Sequence, residues 1–233
     1  MARTATLASL QAQVRQRADM VGSEFIADAE LAEYVNQSMA ELYGLLVHTD
    51  EDYYLAKTTL LTVSGQAEYT FASLSLTDVL KFKGLDVPIT GGFKRAADRL
   101  EWPERNALSG PLPSYVTGFP TRYHVGPSAV TLYPTPNGGM SCTFWYIPNP
   151  PRLDAGGTIT FDGCEGWEEY IVLDAAAKCL FKEQSLEAAT LLLQQKDLLS
   201  KRILTNARRD FGGPKHISKR RFGRNGASFP RLW

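Results

Sequence analysis

The sequence predicts an α+β protein: a four-helix bundle formed by the N- and C-terminal helices, with an antiparallel β-module inserted between them and an extended C-terminal arm. Apolar residues recur every three to four positions towards both ends of the chain, which is the period of an amphipathic helix. In the middle they alternate with polar residues or form short runs between turn residues, which is typical of strands. We therefore expect a helical bundle from residues 1–52 and 163–211, a β-rich insertion module from 53–162 and an extended basic arm from 212–233.

Capping residues and apolar spacing predict two N-terminal helices. Thr6 is placed to cap a first helix that ends near Gly22. The apolar side of this helix consists of Leu7, Leu10, Val14 and Val21. Asp28 is placed to cap a second helix, with Glu30 in its first turn, where the helix dipole favours an acid. Its apolar stripe consists of Leu31, Tyr34, Val35, Met39, Leu42, Leu45 and Leu46. Joined by a short link, the two helices form an αα-hairpin.

The β-module begins after Asp50-Glu51-Asp52, which we interpret as a solvated connector. Runs at 58–63 and 67–71, with Ser64-Gly65-Gln66 between them, predict a β-hairpin. Residues 79–87 alternate between apolar and polar, as a half-buried strand does. Further strands are predicted at 114–118, 122–126, 129–134 and 142–148.

Two features of this module leave alternatives open. Phe144, Trp145 and Tyr146 alternate between the faces of a strand, so one face is less buried than the other. That face either packs against helices and a loop or forms a contact surface between subunits. Between Pro88 and Pro113 we expect a long irregular excursion with a short helix near Lys94–Leu100. This loop either contacts a neighbouring subunit or lines a channel, or it is a flap that covers the β-module.

Helical spacing returns after Gly163. One helix carries on its apolar side Trp167, Tyr170, Ile171, Leu173, Ala177, Leu180 and Phe181. Cys179 lies on the same side and is predicted to be a small core residue. Ser185 is placed to cap a last helix. The apolar positions of that helix are Leu192, Leu193, Leu198, Leu199, Ile203 and Leu204.

Charge is distributed unevenly along the chain. There are 25 basic and 25 acidic residues, yet from Lys201 onward ten basic residues stand against one acid, Asp210. The segment Gly212–Trp233 holds six Lys or Arg, no Asp or Glu and three aromatic residues. Such a segment cannot bury enough apolar surface to fold alone, although it carries large side chains that could anchor it to a partner. An acidic body with a basic tail suggests head-to-tail association between copies, or a tail that meets an acidic or polyanionic partner.

The sequence offers no pattern typical of catalysis, a cofactor or a metal. The three histidines, at positions 48, 124 and 216, have no Cys, His or acid at metal-ligand spacing. Glu165, Glu168 and Glu169 open a predicted helix, where the dipole favours acids, so a structural role explains them better than acid–base chemistry. The three widely spaced cysteines indicate reduced thiols. We expect neither a signal peptide nor a membrane span.

Both helical ends resemble head-to-tail adaptor (connector) proteins of tailed bacteriophages. At the N-terminus the resemblance lies in the segments VRQRAD, FIADAELAEYVN and AELYGLL. Near the C-terminus it lies in GWEEYIVLDAAAKCLFKEQ and in the long helix after Ser185. The β-insert resembles the family only in outline, and these motifs are packing and capping patterns, not catalytic signatures.

The resemblance implies a structural, non-enzymatic protein of the virion, without cofactor, that reaches the head–tail junction from the host cytoplasm. Such adaptors form a ring, typically of twelve copies, beneath the portal protein ring; they extend the DNA channel and present a surface to a tail or nozzle protein. In several, a C-terminal arm grips the portal. The residues expected to bind the portal here are Lys215, Lys219, Arg220, Arg221, Phe222, Arg224, Phe229, Arg231 and Trp233. The alternatives are another connector or tail-completion ring protein, or a nucleic-acid-binding protein that acts through the basic arm.

Overall fold

The computed structural model describes residues 5–76, 78–89, 92–101, 103–104, 118–157 and 166–206. Within these residues the chain is a mixed α+β protein with four α-helices and two sheets rich in antiparallel pairs. The helices are α1 (Leu7–Arg17), α2 (Asp28–Thr49), α3 (Glu168–Lys182) and α4 (Leu186–Asn206), with a 3-10 helix at Glu51–Tyr54. The strands are β1 (Ala56–Leu61), β2 (Glu68–Thr70), β3 (Val79–Pro88), β4 (Lys94–Ala96), β5 (Asp98–Arg99), β6 (Arg122–Val125), β7 (Ala129–Tyr133) and β8 (Ser141–Pro148).

The helices from both ends of the chain share one hydrophobic cluster. Helix α3 packs against α1, α2 and α4. Its centre is Ala175-Ala176-Ala177, all fully buried, and these small side chains allow neighbouring backbones to approach closely. Ile147, near the end of β8, and Leu153, which follows the strand, belong to the same cluster. Each large apolar side chain buried here contributes about 1.5–3 kcal/mol.

The two sheets share a second cluster. Their strand orders are β1-β8-β3-β4 and β2-β7-β6-β5, and all pairs are antiparallel except β5 with β6. Both sheets contribute buried side chains to this cluster, among them Leu60, Tyr69, Leu85, Val130, Leu132 and Phe144. The strands predicted at 79–87, 122–126, 129–134 and 142–148 are confirmed, and most of the one predicted at 114–118 lies outside the described residues.

The predicted hairpin between the first two strands is wrong. Strand β1 pairs with β8 and β2 pairs with β7, so the two strands belong to different sheets. The turn at Ser64-Gly65 leads from one sheet to the other, with Gly65 at a φ of +79° and its N–H bonded to the carbonyl of Pro136. Leu60 and Tyr69 therefore face the same cluster from opposite sheets.

Several predicted helix positions also need correction. The Thr6 cap is confirmed, but α1 ends at Arg17 and Val21 is 73% exposed. Ala27, not Asp28, is the capping residue of α2; Asp28 is the first helical residue, and its carboxylate accepts from Arg15 instead. On α4, Leu198 and Leu204 were predicted in the apolar stripe, yet they are 61% and 47% exposed. On α3, Phe181 was predicted on the apolar side and is 44% exposed.

The predicted helix near Lys94–Leu100 is wrong as well. The segment forms β4, which adds to the edge of β3, and β5, which runs parallel to β6. It thus links the two sheets, and the side chain of Leu100 is buried. The described part of the excursion after Pro88 therefore belongs to the two sheets. Whether the excursion contacts a neighbouring subunit, lines a channel or covers the β-module stays a prediction.

Candidate functional site: buried networks and exposed surfaces

The nine arm residues predicted to bind a portal, from Lys215 to Trp233, lie outside the described residues. Their role stays a prediction. The described part of the chain offers instead a buried charged network, a junction between helices and sheets, and exposed surfaces on both.

A four-residue charged network joins three helices. Asp174 of α3 is 3% exposed and accepts from Ser38 Oγ of α2 at 2.6 Å, Lys178 Nζ at 2.7 Å and Lys196 Nζ of α4 at 2.6 Å. Glu41 of α2 accepts from Lys178 at 3.3 Å and Lys196 at 2.8 Å. Two carboxylates therefore face two ammonium groups at the contact of α2, α3 and α4.

The hydrogen bonds and ion pairs of this network favour the charged forms of Asp174 and Lys196. Burial alone would raise the pKa of Asp174, but hydrogen bonds from Lys178, Lys196 and Ser38 outweigh it, so the pKa lies below its ordinary value. Burial alone would lower the pKa of Lys196, but its bonds to Asp174 and Glu41 raise it above the ordinary value. Lys196 also lies 5.1 Å from the ring centre of Tyr170.

Sequence reasoning missed this network, although a signal was present. Asp174 interrupts the apolar run IVLDAAA of α3, and Lys196 follows LLLQQ in α4. A charge inside an apolar helical stretch requires a partner of opposite sign. The partners could not be named from the sequence because Ser38 lies 136 positions from Asp174.

Helix α2 also holds the segment that leaves β8. The side-chain amide of Asn36 donates to the carbonyl of Leu153 at 3.3 Å and accepts from its N–H at 2.8 Å. Tyr43 Oη donates to the carbonyl of Pro148 at 2.9 Å. Both contacts lie where the β-module meets the helices, so α2 holds the chain where it leaves β8.

The residues interpreted as a solvated connector take part in the same junction. Glu51 forms ion pairs with Lys81 and Lys83 of β3, and these hydrogen bonds lower the pKa of Glu51 to about 2. The Glu51 side chain stays partly exposed, so these ion pairs add a contact that the interpretation as a connector did not include. This residue attaches the 3-10 helix to the first sheet.

In the aromatic run on β8, Phe144 is fully buried, whereas Trp145 and Tyr146 are half-buried. The predicted division into a buried and a less buried face is not clear-cut, because Thr143 on the Trp145 face is 3% exposed. Trp145 Nε1 donates to Asp86 at 2.7 Å, and Lys57 Nζ lies 6.0 Å from the indole centre. On the same face, Lys94 Nζ donates to Thr143 at 2.7 Å. This face mixes an aromatic ring with cations; a subunit contact there stays a prediction.

The described side chains do not assemble a reactive centre. Burial raises the pKa of Cys142 and of Cys179 to about 11, so both thiols stay protonated at neutral pH. Cys179 is 1% exposed, which confirms it as a core residue. Among the described residues, no group of three or more His, Cys, Asp or Glu could hold a metal ion. Glu168 and Glu169 lie in the first turn of α3, as expected for helix-opening acids.

Among the described residues, ion pairs join helices to one another and the 3-10 helix to a sheet. A family model described as SU10 adaptor protein matches residues 5–218. The chain therefore belongs to the SU10 adaptor protein family, which confirms the resemblance to phage head-to-tail adaptors. A comparison with curated proteins found no match.

Family membership implies a structural, non-enzymatic phage protein at the head–tail junction of the virion, where it associates with the portal and the tail. None of the helices in the described ranges combines the length and apolar character that crossing a bilayer requires.

Proposed function

We propose that the chain is a head-to-tail adaptor that assembles as a ring of twelve copies under the portal. The ring extends the DNA channel and provides the surface to which a tail or nozzle protein attaches. The protein reaches this position from the host cytoplasm during assembly. The observation that carries the proposal is the family match over residues 5–218, which includes both helical ends and the β-module.

The proposed domain division is a helical bundle from residues 1–52 and 163–211, with the β-module at 53–162 and the arm at 212–233. Two separate hydrophobic clusters, one mainly from the helices and one from the sheets, support this division. The contacts of α3 with the other three helices support a four-helix arrangement. The network around Asp174 keeps α2, α3 and α4 in register, so the bundle is a rigid base for a ring subunit.

The arm is the proposed attachment to the portal. Phe222, Phe229 and Trp233 become buried on contact, while the neighbouring Lys and Arg pair with acidic portal residues. Buried aromatic and Arg side chains usually dominate interface energies. Ordering so long a segment costs several kcal/mol of conformational entropy, so one copy binds weakly and a ring of copies gains avidity.

Co-sedimentation with the portal ring of the same phage tests this proposal. We expect the full-length chain to bind the portal ring and a chain that ends at Phe211 to remain folded but unbound. A second variant, with Ser at positions 222, 229 and 233, should lose most of the binding. A third, with Gln at 219–221 and 224, should bind with reduced salt dependence. Undiminished binding by the truncated chain would contradict the role of the arm, and no binding by the full chain would contradict the adaptor proposal.

The second candidate is nucleic-acid binding through the arm, favoured by the ten basic residues against one acid from Lys201 onward. Such binding would weaken steeply with salt, with a slope that reports the number of phosphates neutralised. Titration of duplex DNA at two salt concentrations separates it from portal binding. Another connector or tail-completion ring protein is the remaining structural alternative, and binding to a tail protein in place of the portal would favour it.

A further inference from the structure

Four leucines of α4 are exposed, and two of them, Leu191 and Leu198, share one face of the helix. Leu191 is 60% and Leu198 is 61% exposed, and their separation of seven positions places them on the same side of the helix. The buried positions Ala189, Leu192 and Ile203 lie on the other side. Solvent-facing leucines spaced one heptad apart are what a second helix could cover.

The exposed face of α4 is self-complementary when the helix is reversed. Leu191 and Leu198 lie at equal distances on either side of the midpoint between Gln194 and Gln195. Glu187 and Arg202 also lie at equal distances from this midpoint. The exposed side chains of this face are Glu187, Leu191, Gln194, Gln195, Leu198 and Arg202.

Glu187 and Arg202 are also available for a contact between copies. Neither forms an ion pair with another residue in the described part of the chain. Asp197, by contrast, is already paired with Lys201 along the helix at 2.7 Å. A partner helix that packs along the two leucines would therefore meet the carboxylate of Glu187 at one end of this face and the guanidinium of Arg202 at the other.

We propose that α4 is a two-fold interface, in which α4 of one copy packs antiparallel against α4 of a second copy. Leu191 then packs against the partner's Leu198, and Glu187 faces the partner's Arg202. By symmetry each contact is made twice, as in any isologous interface. An antiparallel helix pair that crosses at about 20° brings these positions together.

The charges of Glu187 and Arg202 favour a second copy of this chain as the partner and an antiparallel orientation of the two helices. Antiparallel pairing places Glu187 opposite the partner's Arg202, whereas parallel pairing would place like charges opposite one another at both ends. A second copy of this chain supplies the matching charge at the required spacing. One helix pair buries less than the roughly 1,200–2,000 Å² of a stable interface, so this contact is weak and reversible.

The contact goes beyond the proposed function and does not rest on it. A two-fold contact closes after two copies and cannot continue around a ring. It therefore describes how free copies associate in solution, not how neighbouring subunits meet under a portal.

Sedimentation velocity of the full chain over a range of concentrations tests the interface. We expect a concentration-dependent dimer, which Glu187→Arg or Arg202→Glu each weaken about tenfold or more, because both ion pairs become repulsive. The double reversal should restore the dimer. Leu198→Glu should abolish it, whereas Leu204→Glu, an exposed leucine off this face, should leave it unchanged. A monomer at every concentration, or a dimer that single reversals do not weaken, would overturn the proposal.

Thiol crosslinking tests the direction of pairing. Gln195→Cys lies beside the two-fold axis and should link to its own counterpart through a short bismaleimide. Glu187→Cys alone should not link, but should do so when mixed with Arg202→Cys. The unchanged chain, whose described cysteines Cys142 and Cys179 are buried, is the background control. Efficient self-linking of Glu187→Cys would indicate a parallel pair and contradict the inference.

Discussion

Asp174 is the one buried carboxylate among the described residues, and its environment explains how the helices tolerate it. Removing an ion from water costs several kcal/mol, and an apolar core offers no compensation. Here Ser38, Lys178 and Lys196 supply that compensation at hydrogen-bond distances. Because the bonds come from three helices, the network favours one arrangement of α2, α3 and α4.

Replacing this carboxylate should destabilise the protein. We expect Asp174→Asn to lower the free energy of unfolding by about 1–3 kcal/mol, since the two partly exposed lysines lose their central hydrogen-bonded counter-charge. Asp197→Asn is the matched control: Asp197 also pairs with a Lys four positions later, but the pair is exposed. This control should change stability by no more than about 0.5 kcal/mol. Urea denaturation measures both variants, and equal effects would contradict a special role for Asp174.

The same residue should make stability depend on acid pH. The pKa of Asp174 is lower in the folded state than in the unfolded chain, so the unfolded state binds more protons as pH falls. Its stabilisation is complete above the ordinary carboxyl pKa, about 3.9, and is lost as pH falls through the lower, folded value. Urea midpoints measured from pH 7 down to pH 2 should therefore converge for the unchanged chain and Asp174→Asn. A constant gap down to pH 2 would show that the carboxylate's charge is not responsible.

Between elements, Asn36 is one of the α2 side chains that hold the chain where it leaves β8, together with Glu33 and Tyr43. The side-chain amide of Asn36 accepts a hydrogen bond from the N–H of Leu153 and donates one to its carbonyl. The side chain of Leu153 is buried in the helical cluster. Asn36→Ala should cost about 1–3 kcal/mol, because both backbone groups lose their partner. Gln37→Ala, at the neighbouring exposed position, is the control. Hydrogen exchange should show faster exchange of the Leu153 amide in the first variant alone, and unchanged protection would contradict this junction.

The sequence predicts elements better than their partners. Strand positions follow from local alternation, which is why β3 and β6–β8 are confirmed. The pairing of β1 with β8 joins residues that are far apart in the sequence, from Leu61 with Ser141 to Ala56 with Tyr146, and no local pattern specifies it. Likewise, leucine spacing predicts an amphipathic α4 but does not tell a leucine that faces the core from Leu198, which faces solvent.

At the scale of the whole molecule, the chain begins and ends its described fold in one helical cluster, with the sheets inserted between the two halves. Phe144 of β8 is buried in the second cluster, whereas Ile147 and Leu153 are buried in the first, so the chain passes from the sheets back to the helices at the end of this strand. The family match spans both parts, which agrees with a subunit that works as one unit.

The native mass of the purified chain mixed with the portal ring of the same phage tests the adaptor proposal most directly. We predict a discrete complex in which the portal ring carries twelve copies of this 25.8 kDa chain. A portal ring that keeps its own mass at saturating concentrations of the chain would contradict the account.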